Sequence, residues 1–309
     1  MLKIEENIPL GPMTSFRIGG RAEFYCTIWD VEDLEEAVRW AEDKRVPLVV
    51  LGGCSNVLVN DVGVKGLVVR MKMNKISVEG HTIFADAGAP LIKVVNMAAE
   101  SGLGGMEGLA GIPGSLGGAV RGNAGAFGAQ TADKLEAVTF YDLQQKTIRE
   151  LPKESCAFAY RSSVFKGDAG KIITGAKFVL TASEAKEVQE KTAGIVKQRA
   201  ERGLHGMRSA GSFFMNPIVE DENLRQEFSL DQGKEPKDER LPAGWFVDKA
   251  GLGGKRIGGA MVSKDHANYI INFQDATASD VAMLSSFVKQ QVRDKFGVQL
   301  QEEVSYLGF

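Results

Sequence analysis

Cysteine is scarce in this chain of 309 residues: Cys26, Cys54 and Cys156 are the only three. An odd number at wide spacing excludes a disulfide framework and suits a reducing compartment. Histidine is equally rare, and His81, His205 and His266 lie far apart, with no HExxH or CxxC, so a metal site has no support. An excess of one charge is missing too: 37 basic and 40 acidic residues, net −3, are mixed along the chain, which offers nucleic acid no basic stripe. No run approaches the ~18 apolar residues of a membrane span, and MLKIEENIPLGP has no charged-then-apolar leader. The cytoplasm is therefore the expected location, with no membrane partner. Repeats of about 20 to 50 residues are also absent, which sets aside solenoids and propellers.

Apolar residues make up 44% of the chain, enough for two or three layered units. Val31, Leu34, Val38 and Ala41 recur at helical spacing behind a capping Asp30. The strand-like VPLVVL follows and runs into Gly52 and Gly53, and GLVVRM comes soon after. TIFADAG reads as a strand and PLIKVVNMAAESG as a helix. Between Gly102 and Gly128 lie eleven glycines, interleaved with Leu109, Ile112, Leu116 and Val120, which predicts a buried path of tight turns. Strands AVTFYDL, TIRELP and KIITGAKFVL continue to about residue 180. A helix over roughly 183–202, with Thr181 and Glu184 spaced as a capping box, bridges to the remainder. There, helix AGWFVDKAG, strand NYIINF, a helix presenting Val281, Leu284, Val288 and Val292, and strand-like EEVSYLG are expected. Strands and helices without regular βαβ succession favour an α+β fold.

Two glycine loops have the chemistry of a phosphate cradle. In Gly52, Gly53, Cys54, Ser55 and Asn56, small residues let backbone N–H groups approach an anion, and Ser55 and Asn56 add side-chain donors. Alone, such a loop is more often a plain turn. The second run, Gly108 to Gly128, shifts the balance, because two loops suit one large dinucleotide. Rossmann GxGxxG spacing is not met, since Arg256 stands where a third glycine belongs after Gly251 and Gly253, and no Walker loop occurs. Arg161 in AYRSSVF could grip a carboxylate in a fork. Ser212 in SAGSFFMNP could face a pocket, although capping is the commoner use of a turn serine. Glu302 and Glu303 read singly as solvated surface.

Taken together, TSFRIGG, LGGCSNVLV, LAGIPGSLGGAVRGNAGAFG, YRSSVF, SAGSFFMNP, AGWFVDKAG, RIGGAMVSKDHA and LQEEV resemble the UDP-N-acetylenolpyruvoylglucosamine reductase (MurB) family, through nearly the whole chain and in the family's order. The resemblance implies an α+β fold: an FAD-binding domain of the vanillyl-alcohol-oxidase (PCMH) type over residues 17–182, with subdomains of about 17–80 and 81–182, and a carboxy-terminal α+β substrate domain over 195–305. The FAD pyrophosphate is expected at Gly52 to Asn56 and at Gly111, Ile112, Pro113, Gly114, Ser115, Gly117, Gly118, Asn123, Ala124 and Gly125. The implied reaction is reduction of the enolpyruvyl ether of a UDP-amino sugar on the way to the cell wall, with NADPH as reductant and FAD carrying the hydride. Arg161 would stabilise the enolic carboxylate with a protonated Glu303 against it, and Ser212 would give the proton. Substrate contacts carried over are Tyr160, Asn216, His266 and Arg202, the last standing where the family usually has lysine.

No tyrosine lies between Arg161 and Ser212, as in the shorter subgroup without a tyrosine loop. Departures from the pattern are Cys54 for a usual glycine, Met215 for a usual lysine, and GLHGMR for a QPxxxP stretch. A monomer binding UDP-sugar and NADPH is expected. Two other readings are a different FAD oxidoreductase of the same fold and a flavin- and UDP-sugar-binding protein without turnover; retention of Arg161, Ser212 and Glu303 speaks against the latter.

Overall fold

Asp30 opens the first helix as its cap, accepting from the Asp33 N–H at 2.8 Å, and Val31–Lys44 buries Leu34, Ala37, Val38 and Ala41. The helical spacing in the sequence thus becomes a packed face. The structure is a computed structural model that describes residues 2–201, 203, 206–236 and 238–309. Two units divide the chain, and neither is contiguous: one takes Met1–Ile8, Ala22–Cys54 and Lys65–His205, the other Pro9–Arg21, Ser55–Val64 and Gly206–Phe309.

In the first unit, Leu48–Leu51 lies parallel to Val64–Met71 within a four-stranded sheet. A second sheet is antiparallel throughout, in the order Thr147–Pro152, Leu135–Asp142, Lys171–Val179, Thr82–Asp86, Ile76–Glu79. Helices Leu91–Glu100 and Ala185–Glu201 pack on each other. One hydrophobic core runs through all of this, from Leu34 and Leu67 to Val138 and Phe178. Two local expectations change. The run from Gly102 to Gly128 is not turns alone: Ser115 accepts from the Gly118 N–H and caps a short helix, Leu116–Arg121. Thr181 caps nothing, because Thr181–Ala182 pairs with Leu103–Gly104 as a strand and the helix starts only at Ala185; the Thr181 hydroxyl accepts from Lys134 at 3.4 Å. Strand pairing satisfies the backbone that the capping box was expected to serve.

In the second unit, helix Ala278–Phe296 buries Val281, Leu284, Val288 and Val292, the face expected from spacing. It packs beside a sheet of Arg256–Ile257, Ala260–Val262 and Ile270–Asn272. Ser305–Leu307 pairs in parallel with Val57–Val59. A helix at Glu222–Gln232, capped by Asp221, escapes the sequence reading because Phe228 is its one fully buried residue. The TSFRIGG stretch belongs here: Phe16 is fully buried, and its carbonyl accepts from Asn272 Nδ2 at 3.2 Å. Among the described residues no helix is long and apolar enough to cross a membrane.

The long helix begins twice capped. Thr277 and Asp280 form a reciprocal capping box, while Asp61, far away in sequence, accepts from the N–H groups of Ala278 at 2.7 Å and Ser279 at 3.0 Å. The Thr277 backbone N–H above all, then the Gly259 N–H and the Thr277 hydroxyl, hold the Asp280 carboxyl below the usual carboxylate range against the opposing effect of burial. The depressed value stabilises above the unfolded pKa and is lost as pH falls through the folded one, so acid loosens this helix start. Two substitutions separate core from cap in equilibrium unfolding: Leu284→Ala is expected to cost about 2–5 kcal/mol, and Asp61→Ala about 1 kcal/mol.

Candidate active site

Glycine loops in the first unit lie against each other so closely that side chains are excluded. A Cβ added at Gly53 would meet the Gly114 Cα at 2.6 Å, and one at Gly52 would meet the Ser115 Oγ at 2.2 Å. Ser115 itself is pinned, because Leu91 donates to the Gly114 carbonyl and Leu116 to that of Ala89. The N–H groups of Gly53 and Cys54 meet no acceptor among the described residues. Close-packed glycine backbone with spare donors fits the pyrophosphate of FAD. Cys54 sits at φ +55°, the left-handed region where glycine costs least, which is the physical sense of a usual glycine there. Its thiol donates toward the Gly52 carbonyl at 3.5 Å. Burial pushes that thiol up, against the opposing pull of the Arg70 and Lys72 charges, so it stays neutral beside the cradle.

Asn123, 1% exposed, ties this loop system to the turn bearing Arg161. Its Nδ2 donates to Gln130 Oε1 and to the Ala159 carbonyl, each at 3.0 Å, while its Oδ1 accepts from the Ala132 N–H at 3.1 Å. Both carboxamide hydrogens are thereby committed, and its backbone N–H donates to the Val120 carbonyl at 3.2 Å, so Asn123 acts here as a tie between loops. Ala159 and Ser162 exchange backbone hydrogen bonds at 3.1 Å, which leaves Tyr160 and Arg161 at the tip of a two-residue turn. Arg161 stands at φ +55°, its guanidinium donates to the Gly125 carbonyl at 2.9 Å, and it lies 5.2 Å from the Tyr160 ring centroid. Arg199, which the sequence reading misses, crosses over Gly111, donates to its carbonyl at 3.4 Å and stacks on Phe127.

The second unit gathers the other chemistry-bearing residues. Glu303 N–H donates to the Phe213 carbonyl at 2.8 Å, and Met215 N–H to that of Gln301 at 2.9 Å, so the SFFM stretch and the QEE stretch run as antiparallel neighbours bridged at Phe214 and Glu302. Phe213, the residue after Ser212, and Glu303 are thereby brought together from distant parts of the sequence. Neighbouring side chains on extended backbone point to opposite faces. Glu302 is spent on helix Ala278–Phe296, where it takes the Lys289 ammonium at 2.6 Å and the Ser285 hydroxyl at 3.0 Å, which sorts two adjacent carboxylates into one structural and one facing the other way. The Ser212 hydroxyl, half-buried, makes no hydrogen bond among the described residues. Gly211 at φ +81° turns the chain into Ser212.

Asn56 joins the same cluster: its Nδ2 donates to the Glu303 carbonyl at 3.2 Å and its carbonyl accepts from Ser305. Ser15, unflagged by sequence beyond its place in TSFRIGG, donates to the Ser209 carbonyl at 2.6 Å and lies 3.3 Å from that of Ser55. Asn216 accepts from the Ala243 N–H at 3.0 Å and starts helix Ala243–Lys249. His266, half-buried, lies 5.7 Å from the Tyr269 ring. Arg202 falls outside the described residues.

Comparison with known proteins gives a single answer. Residues 198–307 match the family described as UDP-N-acetylenolpyruvoylglucosamine reductase, C-terminal domain, and residues 22–151 match an FAD-binding domain family. A UDP-N-acetylenolpyruvoylglucosamine reductase of Solibacter usitatus is 36% identical, covering 99% of this chain and 97% of its own length. One from Lactobacillus delbrueckii subsp. bulgaricus is 34% identical over 99% and 96%. The crystal structure of UDP-N-acetylenolpyruvylglucosamine reductase (MurB) from Thermus caldophilus superposes with a TM-score of 0.78 at 31% identity, covering 99% of this chain and 100% of that one.

The cradle makes a direct prediction. Gly53→Ala drives a Cβ into Gly114 backbone and is expected to yield folded protein with little flavin, read as the ratio of flavin to protein absorbance after purification. Gly167→Ala, where a Cβ meets nothing within 4 Å, keeps its flavin.

Proposed function

Because the chain belongs to the UDP-N-acetylenolpyruvoylglucosamine reductase family and so reduces its enolpyruvyl UDP-sugar with FAD and NADPH, we propose that Arg161, Ser212 and Glu303 carry the chemistry. When bound, reduced FAD supplies the hydride that adds to one carbon of the enolpyruvyl double bond. Ser212 gives its hydroxyl proton to the other carbon, which completes the lactyl ether of the muramate product. Arg161, fixed at the tip of its turn, takes the substrate carboxylate in a fork and balances the charge that builds there. Glu303 stands protonated, because a second negative charge beside the enolic carboxylate would oppose the reaction.

The backbone pairing that sets Phe213, next to Ser212, against Glu303, with the Ser212 hydroxyl uncommitted among the described residues and Glu302 drawn off to Lys289, supports this assignment. Gly52 to Asn56 and the run from Gly111 to Gly125 hold the FAD pyrophosphate, with residues 17–182 as its vanillyl-alcohol-oxidase-type domain and 195–305 as the substrate domain. Tyr160, Arg202, Asn216 and His266 contact the UDP-sugar. We take the enzyme to work as a monomer in the cytoplasm.

Purified protein should consume NADPH, followed by its absorbance, only when the enolpyruvyl UDP-sugar is added. Ser212→Ala and Glu303→Gln are each expected to lower that turnover by ~10²-fold or more. A flavin-loaded wild-type protein that shows no substrate-stimulated decay rejects the assignment, and near-wild-type rates in both variants reject the residue roles.

A further inference from the structure

The stretch that carries Ser212 is held along its second edge by a single residue, Asn268. Phe214 N–H donates to Asn268 Oδ1 at 3.0 Å, and Asn268 Nδ2 donates back to the Phe214 carbonyl at 2.9 Å. Phe213 N–H donates to the Asn268 carbonyl at 2.7 Å. One carboxamide thus stands where the backbone of a neighbouring strand would stand, offering a donor and an acceptor to one residue. Phe213 is fully buried and Phe214 2% exposed, so water is a poor substitute for those bonds.

The geometry of the neighbours makes this more than filling. Ser212 lies between Gly211, at φ +81° with nothing near its missing Cβ, and the clamped Phe213–Phe214 pair. On its amino-terminal side Gly211 N–H makes one long bond to Ser209 Oγ at 3.4 Å, and the closer restraints come from the carboxy-terminal side. There the Gln301–Glu303 backbone supplies one edge and Asn268 the other. Asn268 is itself seated firmly: Tyr269 N–H closes a turn on the His266 carbonyl at 2.8 Å, and a Cβ on Gly244 would meet the Asn268 Cβ at 3.4 Å.

We propose that Asn268 is a positioning residue for proton delivery, its carboxamide fixing the register of Phe213–Met215 and hence the place of the Ser212 hydroxyl. The inference rests on Ser212 as the proton donor. Proton delivery enters only the half-reaction in which the enolpyruvyl sugar reoxidises the flavin; reduction of the flavin by NADPH does not need it. A misplacement of about 1 Å is enough to cost ~10²-fold in rate, so a loosened stretch should show selectively in that half.

Stopped-flow absorbance measures the two half-reactions separately in flavin-loaded Asn268→Ala and Asn268→Asp; the aspartate keeps the acceptor for Phe214 N–H and removes the donor. Expected are reoxidation by the enolpyruvyl UDP-sugar slowed ~10-fold or more, flavin reduction by NADPH within about two-fold of wild type, and faster hydrogen exchange at the Phe214 amide in both flavin-loaded and flavin-free protein. Equal slowing of both half-reactions, or unchanged reoxidation despite a deprotected Phe214 amide, overturns the proposal. Should Asn268→Ala not fold, Asn268→Asp is read by the same three measurements, and if it too fails to fold, Asn268 is a folding residue and the proposal falls. Ser212→Ala, run alongside, tells the failures apart: slow reoxidation there with wild-type reoxidation in the Asn268 variants sinks this inference alone, whereas fast reoxidation in Ser212→Ala sinks the proton-donor assignment with it.

Discussion

Backbone pairing between Phe213–Met215 and Gln301–Glu303 is the constraint on which the second unit's chemistry depends. It is a short ladder, yet it does three things. It sets Phe213, the residue after Ser212, against Glu303, it turns Glu302 toward Lys289 and Ser285, and it buries Phe213 and Phe214 in the core. Carboxylates next to each other in sequence acquire opposite fates because extended backbone alternates its faces. Glu302 is held by a cation and a hydroxyl and serves packing, while Glu303 pairs its backbone with Phe213.

Amide side chains recur as the means of holding the stretches that bear the proposed catalytic groups. Asn123 commits both hydrogens of its carboxamide to Gln130 and Ala159, which seats the turn bearing Arg161. Asn56 donates to the Glu303 carbonyl while its own carbonyl takes Ser305, so the start of Val57–Val59 and the Glu303 stretch are fastened at one residue. A carboxamide suits this work because it offers a donor and an acceptor side by side without adding charge near a reacting carboxylate. Buried polar groups satisfied in this way make a stretch of loop as determinate as a strand.

The cradle shows a tolerance that composition would not suggest. Cys54 takes a left-handed conformation that glycine adopts freely, and its thiol remains neutral under burial. The cost is conformational strain of order 1–2 kcal/mol rather than electrostatic conflict with a phosphate. Gly53 has no such latitude, because backbone, not solvent, occupies the space a Cβ would need.

Periodicity alone was sufficient for the helices Val31–Lys44, Leu91–Glu100 and Ala278–Phe296, since each buries a complete apolar stripe. It failed for Glu222–Gln232, whose stripe narrows to Phe228, and for Leu116–Arg121, where glycines masked a helix begun by Ser115. It also misjudged Thr181, because a strand partner at Gly104 claimed the backbone first. The motifs, in their order, determined the family and named Arg161, Ser212 and Glu303; local spacing by itself left all three with ordinary structural readings. What only the tertiary structure decided is which stretches become neighbours: TSFRIGG and Ser55–Val64 pack with the carboxy-terminal unit, and Glu303 meets the residue after Ser212. Pairing between distant strands depends on which buried backbone groups find partners once the chain is compact, and no local window of sequence contains both partners.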